Sequence, residues 1–342
     1  MNNKNVLLTG ITGFLGSHTA IRLLEEGYKV TGTLRNMERA YSIKEIIGNR
    51  TDKVCNLELV EADLQDQAIW SELTRAKDYV QHIASPFPRK LPKYEDELIL
   101  PAESGTLNVL RASAANNVKR VVMTSSVAAI VYGKTHAELN KVFDENDWTD
   151  ERKKEDSTPY FRSKAIAEKS AWKFMAQAGS TMEFTTVLPG AILGPVLEDD
   201  FGTSANIVIK LLDGSSPALP KIGFDVVDVR SVADLLIKAM EKPQAANQRY
   251  IASSGYFSFK AIAMVLKEHF PDRKIPTSEV ANLMIRIFSK FDATLKPILC
   301  DLGIKRKLNI SKAIRELDWQ PRPAKEAIIS CAQSVIERGI VN

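Results

Sequence analysis

Residues 9–16, TGITGFLG, constrain this chain more than any other stretch. The run before them, Asn5-Val6-Leu7-Leu8, is short, mostly apolar and meets a glycine turn at once, the pattern of a buried parallel strand. After them Phe14, Ser17, Ala20, Ile21 and Leu24 fall on one helical face, and Gly27 stands where a helix stops. The stretch reads as strand, glycine turn, helix. Gly10 reaches backbone angles closed to other residues. Gly13 lets a phosphate-bearing ligand approach the main chain where free N–H groups and the helix dipole converge, and Gly16 lets the helix pack on the strand. A plain tight turn is the alternative, since the spacing Gly10, Gly13, Gly16 differs from GxGxxG.

Strand and helix continue to alternate along the N-terminal half. Strands are expected at Tyr28–Leu34, Leu57–Val60, Tyr79–Ile83, Val118–Thr124 and Phe184–Leu188, with helices near 38–47, across GTLNVLRASA and over 159–178. Strands alternating with helices at this interval imply an α/β fold, a Rossmann-type doubly wound parallel sheet. Ligands of such sheets lie beyond the carboxyl ends of the strands. Thr9, Arg35, Asp63, Ala84, Ser125 and Ser126 therefore belong to one rim. Residues 133–158 are polar and lack apolar periodicity, so they read as a solvated loop. The expected division is a dinucleotide-binding domain over 1–190, with 224–254 returning to it. A smaller, interleaved substrate lobe takes 191–223 and 255–342.

With 342 residues, 44% hydrophobic and 26% charged, the chain has the composition of an ordinary globule. A net charge of +4 without a basic, aromatic-interleaved stripe speaks against nucleic acid as a partner, and no apolar run reaches the roughly 18 residues of a membrane span. Cys55, Cys300 and Cys331 are far apart and odd in number, which reads as buried free thiols rather than a disulfide framework or metal site. With no leader before the first strand, the expected compartment is the cytoplasm. Monomer and homodimer both remain open.

Arg35 stands where the second strand ends, and no acid occupies 31–37. A carboxylate there would bind the adenine ribose hydroxyls of NAD(H) and repel a 2′-phosphate. A guanidinium pairs with that phosphate instead, with Arg39 as support, so NADP(H) is preferred and NAD(H) remains possible. Asp63 either accepts from the adenine amino group or caps a turn. Tyr160 and Lys164 in YFRSK share one helical face. A phenol near pKa 10 exchanges protons poorly at neutral pH, and a neighbouring ammonium lowers it, so the pair suits proton delivery to a carbonyl oxygen. Ser125 and Ser126, at a strand tip, suit holding that oxygen.

Together these stretches resemble the extended short-chain dehydrogenase/reductase superfamily, most of all its dihydroflavonol, cinnamoyl and microbial aldehyde or ketone reductase branch. The resemblance is carried by TGITGFLG at 9–16, TLRN at 33–36, ADL at 62–64, HIASPFP at 82–88, TSSVAAI at 124–130, YFRSK at 160–164, LPGAILGP at 188–195 and VDVRSVA at 227–233. It implies that Tyr160 is the acid/base, that Lys164 holds the nicotinamide ribose, and that Ser126, rather than Ser125, orients the substrate oxygen. It places Gly10, Thr12, Gly13, Phe14, Leu15 and Gly16 around the pyrophosphate. Asp63 and Leu64 lie by the adenine, and Ala84, Ser85 and Thr124 along the cofactor. Pro189 and Ile192 lie by the nicotinamide amide. Many relatives carry Asn-Pro where this chain has Leu188-Pro189. His82 and Tyr132 read as packed residues and Trp148 as structural, while Phe87, Phe201, Phe224 and Phe257 either shape an apolar pocket or fill a core.

The implied activity is NADPH-dependent reduction of an aldehyde or ketone. Sugar-nucleotide epimerases, dehydratases and hydroxysteroid dehydrogenases share the triad. NADP(H)-sensing relatives form a second class, but they usually lose the tyrosine or the lysine.

Overall fold

The computed structural model describes residues 4–86, 93–198, 201–214 and 218–341. In chain order the first elements are β1 (Asn5–Thr9), α1 (Phe14–Glu25), β2 (Lys29–Leu34), α2 (Ala40–Gly48), β3 (Leu57–Glu61), α3 (Gln67–Leu73), β4 (Tyr79–His82) and α4 (Asp96–Ala115). Next come β5 (Arg120–Thr124), β6 (Val142–Phe143), α5 (Pro159–Gln177), β7 (Glu183–Pro189), β8 (Ala191–Leu193), α6 (Ala205–Leu212), β9 (Gly223–Asp228) and α7 (Val229–Glu241). The chain ends with β10 (Arg249–Ala252), β11 (Tyr256–Ser258), α8 (Phe259–His269), α9 (Asn282–Phe288), β12 (Lys307–Leu308), α10 (Ser311–Leu317) and α11 (Ala324–Glu337).

The main sheet is Rossmann-type, with seven parallel strands in the order β10-β7-β5-β4-β1-β2-β3. Both of its faces are covered. Val6, Leu8, Val30 and Val122 pack with Leu23, Ile43 and Leu235 of α1, α2 and α7. Leu7, Val80, Val121 and Phe184 pack on the other side with Trp70, Val109 and Ala171 of α3, α4 and α5. Alternation along β1 sends Leu7 one way and its neighbours the other, which is why the strand reads as a continuous apolar run.

A second sheet, β11-β9-β8, lies outside the main one, with β8 parallel and β11 antiparallel to β9. Leu193 and Val226 from it join Val208, Leu266 and Ile328 of α6, α8 and α11 in a separate core. Residues 224–254 thus only partly return to the main sheet. β10 does, whereas β9 pairs with β8. The cause is the break after Pro189: a Cβ at Gly190 would overlap the Asp225 carbonyl, so glycine alone lets β9 lie against that turn.

Two further differences are local. Residues 133–158 are not simply a solvated loop, because Phe143 is fully buried and β6 pairs with β12, some 165 positions downstream. That partner leaves no trace in the local pattern. Of the three free cysteines only Cys331 is buried; Cys300 is half-buried and Cys55 exposed on a turn before β3.

Candidate active site

The glycine turn is built by close contacts that a side chain would forbid. Gly10 has φ +75°, and a Cβ there would stand 3.0 Å from Ala84 Cα, so the end of β4 abuts the turn. A Cβ on Gly16 would overlap the Gly10 carbonyl oxygen. At Gly13 the position is open, with the Gly10 oxygen 3.5 Å away as the nearest described atom. Gly13 also caps α1 without a side-chain bond, which leaves the first-turn N–H groups of Phe14, Leu15 and Gly16 without an acceptor from the cap residue's side chain. Thr12 lies between, its carbonyl 3.5 Å from Arg39 Nη2.

Thr9 ties the turn to the neighbouring strand: its hydroxyl accepts from the Ile83 and Ala84 N–H groups and bonds His82 Nδ1 at 3.0 Å. His82 is buried, and that burial pushes it down to about 3, with the Lys164 charge adding to the effect. It is a neutral packed residue. Ala84 and Ser85 come after it, half-buried. At the other end of the rim Arg35 is exposed just beyond β2, with no ion pair among the described residues. Asp63 is exposed and accepts from the Gln65 N–H at 2.8 Å, a turn cap. Leu64 packs towards α4 beside Gly105, and its carbonyl accepts from Asn108.

Ser126, Tyr160 and Lys164 come together. Ser126 Oγ accepts from the Ala128 N–H at 3.1 Å and shares a hydrogen bond with the Tyr160 phenol. Lys164 Nζ lies 5.9 Å from the Tyr160 ring centroid. α5 places both residues because Thr158 caps it and Pro159 opens it, so its first turn begins one residue before Tyr160. Burial pushes the Tyr160 phenol up to about 12, with the Ser126 bond opposing, and pushes the Lys164 ammonium down to about 8, with Glu168 opposing. The expected lowering of Tyr160 by Lys164 is therefore not found. Desolvation dominates, and the Ser126 bond is what opposes it.

Glu168, one turn beyond Lys164 and fully buried, was not expected. It accepts from Ser125 Oγ at 2.6 Å, Thr186 Oγ1 at 2.8 Å and Arg249 Nε at 2.8 Å. Ser125 is thereby committed to this cluster, whereas Ser126 faces Tyr160. The i, i+4, i+8 spacing of Tyr160, Lys164 and Glu168 was the available signal; Arg249, on a distant strand, had none. Thr124, at the tip of β5, keeps a buried hydroxyl without a partner among the described residues. Pro189 ends β7 buried, and half-buried Ile192 packs on the main core.

Tyr132 is a wall residue: it stacks on Phe161 at 3.8 Å and donates to Asp301 at 3.2 Å. Trp148 lies under Arg249, whose guanidinium is 3.7 Å from the ring centroid. Phe201, Phe224 and Phe257 are half-buried: Phe201 and Phe257 pack against the core of the small sheet, and Phe224 beside Phe259; Phe87 lies outside the described residues. Among the described residues no helix is long and apolar enough to cross a membrane.

The chain is 35% identical over 344 residues to tetraketide alpha-pyrone reductase 1 of Arabidopsis thaliana, covering 98% of this chain and 97% of that protein. It is 29% identical over 306 residues to dihydroflavonol 4-reductase of Hordeum vulgare, covering 87% and 81%. Its fold matches the crystal structure of yeast methylglyoxal/isovaleraldehyde reductase Gre2 complexed with NADPH, with a TM-score of 0.79, 26% identity and coverage of 98% of this chain and 100% of that one. The profile of the NAD dependent epimerase/dehydratase family matches residues 6–252, with the glycine turn near its start and β10 at its end. The chain therefore belongs to the NAD dependent epimerase/dehydratase family, the extended short-chain dehydrogenases/reductases.

Proposed function

We propose that this protein is an NADPH-dependent reductase that takes an aldehyde or ketone to an alcohol. The observation that carries this reading is the meeting of Ser126, Tyr160 and Lys164 on the rim that also holds the Gly10–Gly16 turn. Two features fit a dinucleotide: the open cradle at Gly13 before an uncapped helix, and the Thr124 hydroxyl, which has no partner among the described residues. Gly10, Thr12, Gly13, Phe14, Leu15 and Gly16 would hold the pyrophosphate. Arg35 would hold the 2′-phosphate and Asp63 and Leu64 the adenine side. Ala84, Ser85, Thr124, Tyr160, Lys164, Pro189 and Ile192 would line the remainder. Residues 1–190 with α7 and β10 form the dinucleotide-binding part of this reading, and the small sheet with α6, α8, α9 and α11 forms the substrate lobe.

When bound, the nicotinamide supplies the hydride. Tyr160 keeps its proton on Oη across the neutral range, because burial holds it near 12, and releases it only to an oxygen gaining charge. Ser126, which already accepts from Ala128, retains its own hydroxyl proton to donate to that oxygen. Lys164, cationic below about 8, opposes the negative charge left on Tyr160. Arg35 and the absence of an acid at 31–37 weigh against the NAD-retaining sugar enzymes of the same family.

The test is the initial rate of NADPH or NADH oxidation with a panel of aliphatic and aromatic aldehydes, 2-oxoaldehydes and cyclic ketones. Turnover faster with NADPH is expected, and Tyr160→Phe should cost about 10²–10⁴-fold in kcat with NADPH affinity retained. Binding of NADPH with no carbonyl reduced, and no effect of Tyr160→Phe, would point to a sensor instead.

A further inference from the structure

Arg39 does not point freely at the end of β2. Its Nη2 reaches the Thr12 carbonyl at 3.5 Å and pairs with Glu198 at 2.5 Å, so the guanidinium is drawn over the glycine turn. Glu198 comes after β8, 159 positions away, on a stretch held from several sides. The Pro195 carbonyl bonds His18 Nε2, the Val196 N–H donates to Ser334, and the Leu197 carbonyl accepts from Arg338. Glu198 is mostly buried, with a side chain 12% exposed, against 36% for Arg39. Among the described residues two other acids border this corner and are engaged elsewhere: Glu38 bonds Asn36, and Glu61 accepts weakly from the Met37 N–H at 3.4 Å. The acid missing from 31–37 is thus supplied from a remote segment, and it is aimed at the second basic residue of the corner.

We propose that Glu198 is a specificity-determining residue, which competes with the 2′-phosphate of NADPH for the Arg39 guanidinium. The proposal rests on the reading of the site as an NADPH-binding one. Glu198 holds Arg39 through Nη2, so a 2′-phosphate that takes that nitrogen must displace an internal carboxylate before it gains Arg39 as well as Arg35. NADH carries no 2′-phosphate and leaves the pair undisturbed. Glu198 therefore trims the preference for NADPH over NADH below what Arg35 and Arg39 would give alone. The affinity for NADPH is reduced by the fraction of molecules in which Arg39 is occupied.

The experiment is a fluorescence titration of NADPH and of NADH into the wild-type protein, Glu198→Gln, Arg39→Gln and the double variant, with Glu198→Ala as a second replacement and thermal melts to confirm folding. Glu198→Gln and Glu198→Ala should tighten NADPH about 3- to 10-fold and move NADH less than about 2-fold. In the Arg39→Gln background the gain should vanish. An unchanged or weaker NADPH affinity in both Glu198 variants, beside a wild type that prefers NADPH, overturns the proposal alone. So does a gain that persists without Arg39, since that is only a general field of one removed charge. A wild type that binds neither nucleotide, or both equally, overturns the cofactor reading, and the proposal falls with it.

Discussion

Tyr160 and Lys164 are pushed in opposite directions by one cause. Removing either charged form from water is costly, so the buried phenol rises to about 12 and the buried ammonium falls to about 8. Tyr160, the proposed proton donor, thus keeps its proton at any working pH, while the cation is the group that titrates within reach. Lys164 is charged below about 8 and neutral above it, so kcat/KM for carbonyl reduction should hold through neutral pH and fall as pH rises through about 8. An initial-rate profile from neutral to alkaline pH that stays flat on its alkaline side would remove Lys164's charge from the mechanism. His82, though beside the site, should leave no limb in that profile, because its proton is already lost well below neutral pH.

At the scale of elements, the turn between β1 and α1 separates two jobs that glycine does. Gly16 serves packing: its Cβ would overlap the Gly10 carbonyl, so Gly16→Ala should cost about 1–3 kcal/mol of stability as the helix is forced off the strand. On the proposed reading, Gly13 serves the ligand. It sits at φ −82°, open to a Cβ, so Gly13→Ala should leave the melting temperature unchanged or raised while weakening NADPH about tenfold or more. Paired thermal melts and titrations decide; equal loss of stability in both variants would contradict the division. α5 has a similar double task. Its inner face carries Tyr160 and Lys164, and Glu168 one turn on fixes the helix to β5, β7 and β10 through Ser125, Thr186 and Arg249. The carboxylate is fully buried, and its cost of burial is offset by this full set of donors.

For the whole molecule, the main sheet and the small sheet keep separate cores, with Phe14 of α1 touching both. A ligand seated on the glycine turn stabilises the assembled form and not the unfolded chain. NADPH at about 100 times its Kd should raise Tm by about 4 °C, and NADH at the same concentration by less. A thermal scan with equal shifts for the two nucleotides would count against Arg35 as the discriminating residue.

By itself the sequence determined the parallel sheet, the glycine turn, the rim and the helix that carries Tyr160 and Lys164. All of these are written in short-range patterns: apolar runs, a glycine at a strand end, side chains four apart on a helix. What only the tertiary structure decided rests on partners far apart in the chain. β9 joins β8 because Gly190 admits it, β6 meets β12, Glu168 meets Arg249, and Glu198 meets Arg39. The engagement of Ser125 by the buried Glu168, which leaves Ser126 beside Tyr160, belongs here too. So does the rise of Tyr160, because desolvation is a property of everything packed around a group and not of its neighbours in sequence.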